Sequence, residues 1–476
     1  MSPVTALAVD LGSSSGRIIA GTLSDGVIEE VEVHRFAHEA ARQEPGPGSA
    51  HGHLTWDLDL IERELTAGLK AAVARFPDAV SVSVDTWGVD AVTLGADGRR
   101  VGPAVAYRDE RTARTLDAFR ARLDDDAVWA ATGIAPATIN TANQLFALVT
   151  EEPELAAQVS RVLLLPDYIT YLLTGEAGWS RSHASTSALC RPGAHEFNDD
   201  VFEALGIPRS WFGDVTAEHT VVGPCRIPGL EQLTVVRAGA HDTACAVHAL
   251  QRRPGEETLF LSCGSWSVLG VLRDEPLLSA EAHALGLTNE ARADRGLRPL
   301  FNITGLWILQ ECQREWRATG GVHDIVDLVR AAEAAPSTGI LIDPDEPGFA
   351  QPGGMVGRVS SAVAAQGGPV ELDEGAVVRV ILESLAARYA RGIDALAALT
   401  GARPSELTMV GGGSRNALLC RLTADAVGVP VIAGPVEASS LGSLIAQLEI
   451  MGHLDPAGRN GVIAASARTV RYEVER

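Results

Sequence analysis

The chain has 476 residues, of which 46% are hydrophobic and 21% are charged, and its formal net charge is -22 at pH 7. A chain this long exceeds one ordinary domain of about 100–200 residues, and its aliphatic content supports packed α/β cores, so we expect two large domains. The acidic balance argues against nucleic acid and anionic membranes as partners, because both would be repelled.

The sequence lacks the usual signals of export, membrane anchoring and structural zinc. The N-terminus has no basic segment of a signal peptide, and the apolar stretch 162–173 is interrupted by Pro166 and Asp167. The six cysteines are widely spaced, without the pairs that form a zinc site or a disulfide framework. We therefore expect a cytoplasmic protein with reduced cysteines.

The first predicted element is a strand–turn–strand that spans residues 6–23. Glycines and serines in its turn allow backbone amides and hydroxyls to converge on an anion, which makes the turn a candidate phosphate loop. Asp10, at the end of the first strand, is a candidate to hold a metal ion through water. A polar hairpin turn without a ligand is the alternative. The candidate phosphate-binding residues are Ser13, Ser14, Ser15, Gly16 and Arg17.

The next predicted elements surround a short turn that contains an aromatic residue. Apolar residues recur every four positions from Ile61, which predicts a helix at 58–76, and strands are predicted at 80–84 and 91–94. In the intervening turn, Trp87 beside Gly88 is a candidate platform for a sugar ring. The alternative is a tight turn whose tryptophan fills the core.

Residues 43–53, rich in proline and glycine, are predicted to form a loop. The loop contains His51 and His53, which we do not interpret as a metal pair because no acidic residue lies near them in sequence.

The second half of the chain repeats the hairpin pattern. A second strand–turn–strand is predicted at 258–272, with Ser265 in its turn. Gly412 lies within a glycine triplet between a strand and a helix, where close approach of a nucleotide and binding of phosphate at the helix start are both possible. A flexible linker is the alternative. The other predicted elements are a helix at 377–400, a strand at 407–410, a helix at 418–427, a strand at 429–433 and a helix at 441–451.

The repeated hairpin predicts two similar α/β domains, residues 1–237 and 238–476, that face a central cleft. Asp242 follows this boundary and lies between the two hairpins in sequence. Such a carboxylate could be a general base that deprotonates a hydroxyl. It could equally be the N-cap of a helix, and both roles are compatible.

With these residues in view, the chain resembles the FGGY carbohydrate kinases of the actin-like ATPase superfamily, and within them the branch that acts on L-rhamnulose. The resemblance implies an α/β fold with two actin-like (ribonuclease H-like) ATPase domains around a central catalytic cleft. It runs along nearly the full length. Its most specific segments are 9–17, 85–90, 107–109, 165–168, 241–244 and 302–307.

The resemblance also implies an activity and a set of site residues. The activity is ATP-dependent phosphorylation of L-rhamnulose at its C1 hydroxyl, with ATP and Mg²⁺ as cofactors, Asp242 as catalytic base and Asp10 near the metal. The implied sugar-binding residues are Gly88, His241, Asp242, Thr243 and Asn302. The implied ATP-binding residues are Ser13, Ser14, Ser15, Gly16, Arg17, Ser265, Gln310 and Gly412. Relatives often have Thr where this chain has Ser265, and Ser where this chain has Cys263.

Several alternatives remain at this point. The acceptor could be another ketose or polyol, such as L-fuculose, D-xylulose or an autoinducer sugar. An actin-like ATPase without a sugar acceptor would share the hairpins. A sugar-sensing regulator would need to bind DNA, which the acidic charge disfavours. The sequence is compatible with a monomer or a homodimer.

Overall fold

The structure is a computed structural model that describes residues 2–45, 51–253, 255–320 and 324–475. Within these ranges, no helix is long and apolar enough to cross a membrane. The strands are β1 (Val4–Gly12), β2 (Ser15–Ser24), β3 (Val27–Ala37), β4 (Ala41–Gln43), β5 (His53–Trp56), β6 (Ser81–Thr86), β7 (Ala91–Leu94), β8 (Ala104–Val105), β9 (Arg161–Leu164), β10 (Thr220–Pro224), β11 (Thr234–Arg237), β12 (Leu259–Cys263), β13 (Trp266–Val271), β14 (Thr288–Ala291), β15 (Leu297–Thr304), β16 (Leu407–Val410), β17 (Val431–Ala433) and β18 (Val470–Tyr472).

The helices alternate with these strands along the chain. They are α1 (Leu58–Arg75), α2 (Arg111–Arg114), α3 (Leu116–Arg122), α4 (Asp125–Thr132), α5 (Thr141–Glu151), α6 (Pro153–Ala156), α7 (Leu165–Thr174), α8 (Arg181–Ala184), α9 (Asp199–Leu205), α10 (Asp242–His248), α11 (Ala280–Ala284), α12 (Trp307–Ala318), α13 (Ile325–Ala334), α14 (Met355–Ala365), α15 (Glu374–Thr400), α16 (Ala417–Val427), α17 (Ala438–Ile450) and α18 (Arg459–Ser466).

The chain divides into two compact units that are discontinuous in sequence. The first unit comprises Met1–Gln251, Arg273–Pro299 and Ser439–Ser466. The second comprises Arg252–Leu272, Leu300–Ala438 and Ala467–Arg476. The predicted domains, 1–237 and 238–476, are each one continuous segment, and their boundary near residue 237 stays a prediction.

The two main sheets are mixed and repeat one six-strand topology. The first has the strand order β3-β2-β1-β6-β11-β10, and the second has the order β14-β15-β13-β12-β16-β17-β18, in which β14 is an additional edge strand. From β3 in the first sheet and from β15 in the second, successive neighbours pair antiparallel, antiparallel, parallel, parallel and antiparallel. The predicted pair of similar α/β domains, each opening with a hairpin, is therefore confirmed.

Helix α1 shows how the apolar pattern builds the core of the first unit. Ile61, Leu65 and Leu69 recur every four residues, and all three are buried in the core that includes β1 and β6. Asp57 caps the helix by accepting a hydrogen bond from the backbone N–H of Leu60. The predicted helix at 58–76 differs from the observed one by a single residue.

The predicted loop at 43–53 agrees with the described residues to within one residue at each end. β4 ends at Gln43 and β5 begins at His53, and these two strands pair antiparallel in a small sheet with β8. The segment 46–50 lies outside the described residues. The prolines and glycines predicted the loop, but no sequence signal predicted the short strands β4 and β5 on either side of it.

His53 lies buried between two carboxylates in the first unit. Its Nδ1 is 3.3 Å from Oδ1 of Asp109, and its Nε2 is 3.1 Å from Oε1 of Glu152. These partners lie 56 and 99 residues away in sequence, so the residues around His53 gave no sign of them. Hydrogen bonds to Asp109 and then to Glu152 raise the pKa of His53 to about 9.

We expect His53→Gln to remove a pH-dependent part of the free energy of unfolding. The folded pKa of about 9 lies above the usual value, so the stabilisation is complete below about pH 6.5 and is lost as the pH rises through 9. Its full size is about 3 kcal/mol, since one pKa unit corresponds to about 1.4 kcal/mol. Urea unfolding of both proteins between pH 6 and pH 10 measures the difference. Parallel pH profiles for the two proteins would contradict this prediction.

Candidate active site

Three aspartates lie near the ends of adjacent parallel strands in the first unit. Asp10 of β1 is the register partner of Asp85 of β6, and Asp242 follows β11 as the first residue of α10. Parallel neighbouring strands present their carboxyl ends at one edge of a sheet, which is where α/β folds bind ligands. Burial, and then the charges of Asp10 and Asp242, raise the pKa of Asp85 well above its usual range.

Asp10 is held by residues from both ends of the first unit's sequence. Its Oδ2 accepts hydrogen bonds from the Arg17 guanidinium at 2.6 Å and from the hydroxyls of Ser439 and Ser440 at 2.6 and 3.0 Å. Arg17 lies opposite Asp10 in the β1–β2 register, so the hairpin itself creates the ion pair. The two serines lie in the first turn of α17, more than 400 residues away, and no sequence signal identified them.

The tip of this hairpin has the composition of the predicted phosphate loop. Ser13, Ser14 and Ser15 are partly or fully exposed, whereas Gly16 is buried. A Cβ on Gly16 would overlap the ring of Phe36, its register partner on β3, so glycine there makes room for this ring. The phosphate-binding role of these serines and of Arg17 stays a prediction.

Asp242 has the properties of a general base at neutral pH. Its Oδ1 accepts hydrogen bonds from the backbone N–H and the hydroxyl of Thr243, at 2.5 and 3.1 Å. Burial, followed by the negative charge of Asp10, raises the pKa of Asp242 to about 7, and the hydrogen bonds from Thr243 oppose this rise. A carboxylate with a pKa near the working pH is well matched to proton abstraction. The N-cap of α10 is His241 rather than Asp242.

Gly88 faces the ring of His241 in the first unit. A Cβ on Gly88 would lie 3.2 Å from the Nε2 atom of His241. The following residue, Val89, has φ = 68°, which is rare for a β-branched residue. Its carbonyl accepts a 2.6 Å hydrogen bond from Thr141, and its N–H donates to Thr186 at 3.2 Å. Strained backbone that is fixed by such contacts is a common property of ligand sites.

Trp87 is packed into the core of the first unit. Only 6% of it is exposed, and its ring centroid lies 4.6 Å from that of Trp56. Both indole N–H groups donate to Oδ2 of Asp90, at 2.8 and 2.6 Å. This packing favours the core role over the sugar platform, and a sugar contact of Trp87 stays a prediction.

Two of the predicted ATP-binding residues meet in the second unit. The Ser265 hydroxyl, in the turn between β12 and β13, donates to Oε1 of Gln310 on α12 at 2.8 Å. Asn302 is exposed on β15, opposite Val268 in the register with β13. Ser265, Asn302, Gln310 and Gly412 belong to the second unit, and the remaining predicted site residues belong to the first.

The glycine triplet lies between β16 and α16, and its three members have different surroundings. Gly411 has φ = 81°. A Cβ on Gly413 would lie 2.2 Å from Sγ of Cys263, whereas a Cβ on Gly412 would have no atom within 4 Å. Asn416 then caps α16 by accepting a hydrogen bond from the backbone N–H of Leu419. This strand–turn–helix arrangement favours the nucleotide interpretation over a flexible linker.

The triplet supports a paired stability test. We expect Gly413→Ala to lower the free energy of unfolding by about 1–3 kcal/mol, because the added methyl overlaps the Cys263 side chain. Gly412→Ala, the control, adds its methyl to open space and is expected to unfold like the wild type. Urea unfolding of both variants measures the effects. Equal stability of the two variants would contradict the assigned contact.

The carboxylates of the first unit fit a magnesium ion that is held mainly through water and phosphate. Among the described residues, no three or more His, Cys, Asp or Glu side chains are grouped as a metal site. Mg²⁺ commonly keeps several waters and uses only one or two carboxylates together with substrate phosphates. Both carboxylate oxygens of Asp85 are buried without a hydrogen-bond partner in the described part of the chain. Together with Asp10, they provide the oxygen donors that this cation prefers.

Two family models of known proteins match the chain, one in the N-terminal part of the sequence and one in the C-terminal part. The family model for the N-terminal domain of the FGGY family of carbohydrate kinases matches residues 5–248. The model for the C-terminal domain of the same family matches residues 259–449.

Solved structures of similar fold cover nearly the whole chain. A xylulose kinase from Lactobacillus acidophilus superimposes with a TM-score of 0.77 at 13% identity, covering 99% of this chain and 94% of that one. A xylulose kinase from Rhodospirillum rubrum gives 0.76 at 20% identity, and Plasmodium falciparum glycerol kinase with ADP gives 0.77 at 13%, each with the same two coverages of 99% and 94%. At these identities the likeness shows the fold, and it confirms the predicted two-domain, actin-like α/β architecture. Since the N-terminal model alone matches more than half of its residues, the chain belongs to the FGGY family of carbohydrate kinases.

Proposed function

We propose that this carbohydrate kinase transfers the γ-phosphoryl group of ATP to the C1 hydroxyl of L-rhamnulose. The products would be L-rhamnulose 1-phosphate and ADP, as a step of L-rhamnose catabolism in the cytoplasm. Family membership supports phosphoryl transfer to a carbohydrate. The choice of sugar rests on the sequence strings at 86–90 and 241–244, which resemble the rhamnulose branch of the family.

The observation that carries the proposed chemistry is the environment of Asp242. Its pKa of about 7 allows it to be ionised in the ground state and still to accept a proton from a sugar hydroxyl. Phosphoryl transfer needs little covalent chemistry from the protein, so positioning and charge neutralisation supply most of the rate enhancement.

The proposed binding residues fall into two groups. Magnesium, when bound near Asp10, would neutralise charge on the phosphates. The sugar would contact Gly88, His241, Asp242, Thr243 and Asn302, with Trp87 as a further candidate. The nucleotide would contact Ser13, Ser14, Ser15, Gly16, Arg17, Ser265, Gln310 and Gly412.

A kinase of another sugar is the second candidate. Solved structures of the same fold are named as xylulose, gluconate and glycerol kinases, so the fold is compatible with several acceptors. Specificity among ketoses depends on one or two hydroxyl contacts, and a site built to hydrogen-bond a hydroxyl strongly rejects an analogue that lacks it.

A substrate panel tests the proposed acceptor. ADP release from Mg-ATP is measured with L-rhamnulose, L-fuculose, D-xylulose, L-ribulose and glycerol, and without sugar. We expect kcat/KM to be at least about 10-fold higher for L-rhamnulose than for the others. A higher value for another ketose would replace the substrate while preserving the kinase chemistry. Equal rates with and without sugar would indicate an ATPase.

A further inference from the structure

Arg298 is a fully buried cation beside His241 in the first unit. It lies at the start of β15, and its side chain has 0% exposure. Its Nε donates to the carbonyl oxygen of Ala291 at 3.0 Å, and its Nη2 lies 2.7 Å from Oε2 of Glu290 on β14. The same Nη2 also forms a hydrogen bond with Nδ1 of His241. The guanidinium is therefore held by three partners: a backbone carbonyl, a carboxylate and the imidazole.

This contact determines the protonation of the imidazole. A guanidinium has donors and no acceptor, so Nδ1 of His241 must accept the hydrogen bond. A neutral imidazole that accepts at Nδ1 carries its proton on Nε2. The opposite tautomer would need an acceptor at Nδ1. The carboxylate that faces Nδ1, Glu290, has its Oε2 3.5 Å from that atom and 2.7 Å from Arg298.

The protonated Nε2 faces the proposed base and the proposed sugar contact. It lies 3.3 Å from Oδ1 of Asp242. It also lies 3.2 Å from the position that a Cβ on Gly88 would occupy, so the imidazole packs closely against the Gly88 backbone. A hydroxyl that reaches both Nε2 of His241 and the Asp242 carboxylate would therefore meet a donor from His241 and an acceptor from Asp242.

Charged and titratable groups from four elements surround His241, and burial together with the nearby Arg298 cation favours a neutral ring. Asp242 faces it from α10, Glu290 from β14, Arg298 from β15 and His183 from α8. Burial, then the charge of Arg298 and then His183, lower the pKa of His241 well below its usual range. His183 stays neutral as well, because burial lowers its own pKa to about 3.

We propose that Arg298 is a positioning residue that holds His241 in its Nε2-protonated tautomer, and that Glu290 in turn holds Arg298. The Nε2–H of His241 then donates a hydrogen bond to the oxygen of the acceptor hydroxyl. The proton of that hydroxyl is directed to the Asp242 carboxylate. This orientation leaves an oxygen lone pair for attack on the γ-phosphorus. The substrate part of the inference rests on the proposed function, whereas the tautomer does not.

Histidine ring ¹⁵N NMR tests the tautomer without any turnover. The two ring nitrogens of a neutral histidine have well-separated shifts, and long-range ¹H–¹⁵N correlations identify the protonated one. The His241→Asn protein identifies the His241 signals by difference. We expect the Nε2–H form in the wild type from pH 6 to pH 8. An Nδ1–H form, or a ring that titrates in this range, would overturn the inference.

A paired variant tests the role of Arg298 itself. The double change Arg298→Met with Glu290→Gln removes both charges, so no unpaired ion is left buried. We expect a mixture of tautomers and a ring that titrates at higher pH, since loss of the nearby cation favours the imidazolium. We also expect kcat to fall by about 10–100-fold with KM changed less, because the reacting hydroxyl is bound but poorly oriented.

Two further variants separate positioning from loss of an ion pair. Arg298→Lys keeps a donor-only cation and is expected to retain the Nε2–H tautomer and to recover part of kcat. Arg459→Met removes a 2.7 Å ion pair with Glu449 in the same unit and is expected to leave the tautomer and kcat unchanged. The positioning role would be refuted if the wild type is active and the double variant keeps the same tautomer and the same kcat. A wild type that phosphorylates no sugar would refute the proposed function, while the NMR result would still decide the tautomer.

Discussion

Asp242→Asn is expected to lower kcat by about 10²–10⁴-fold, the usual cost of removing a general base. The amide preserves the size of the side chain, and its oxygen can still accept the hydrogen bond from the Thr243 N–H, but it cannot accept the proton of the sugar hydroxyl. ADP release at saturating ATP and sugar measures the effect. Asp126→Asn, which changes an exposed carboxylate of the same unit, serves as the matched control and should retain wild-type kcat.

The pH dependence gives the same prediction an independent readout. The base must be ionised to work, so wild-type kcat/KM should fall as the pH drops below about 7, where Asp242 becomes protonated. The residual activity of Asp242→Asn should lack this acid limb. Activity within a few-fold of the wild type in Asp242→Asn, or an unchanged acid limb, would show that another group is the base.

Gly442→Ala is expected to cost about 3 kcal/mol or more of the free energy of unfolding. A Cβ at this position of α17 would lie 1.8 Å from the carbonyl oxygen of Cys245 and 2.7 Å from its carbonyl carbon. Both are backbone atoms of α10, so α17 and α10 would have to move apart. The free-energy cost of that movement exceeds the usual cost of overpacking. Because α10 begins at Asp242, we also expect kcat to fall.

The control for this change is a second helical glycine of the same unit. Gly461 of α18 has no atom within 4 Å of its Cβ position. Gly461→Ala should leave stability unchanged or raise it by up to about 1 kcal/mol, because alanine is the better helix former. Urea unfolding of both variants provides the comparison. Similar stability of the two variants would mean that α17 and α10 are not as closely packed as described.

The local part of the fold was predictable from the sequence, because its signals are short-range. The hairpin at 6–23, helix α1 and the strand before the glycine triplet follow from apolar periodicity and turn residues, and each lies within a few residues of its predicted bounds. The repeated hairpin also predicted the repeated topology. The strands on either side of the loop at 43–53 were missed because they are short and mostly polar.

The site was less predictable, because its contacts join distant parts of the chain. Asp10 was recognised as a metal candidate, but its contacts with Ser439 and Ser440 span more than 400 residues. Asp85 lay within a recognised segment, and only the register of β1 with β6 placed it beside Asp10. Arg298 had no local signal at all, since its role depends on a contact with His241 across 57 residues.

The identity of the phosphoryl acceptor is the most direct test of the proposed function. A ³¹P NMR spectrum of wild-type protein with Mg-ATP and L-rhamnulose follows the products as they form. We predict a phosphomonoester signal that is coupled to the two C1 protons and that grows in step with ADP. Inorganic phosphate as the sole product, formed at the same rate without sugar, would contradict phosphoryl transfer to a carbohydrate by this chain.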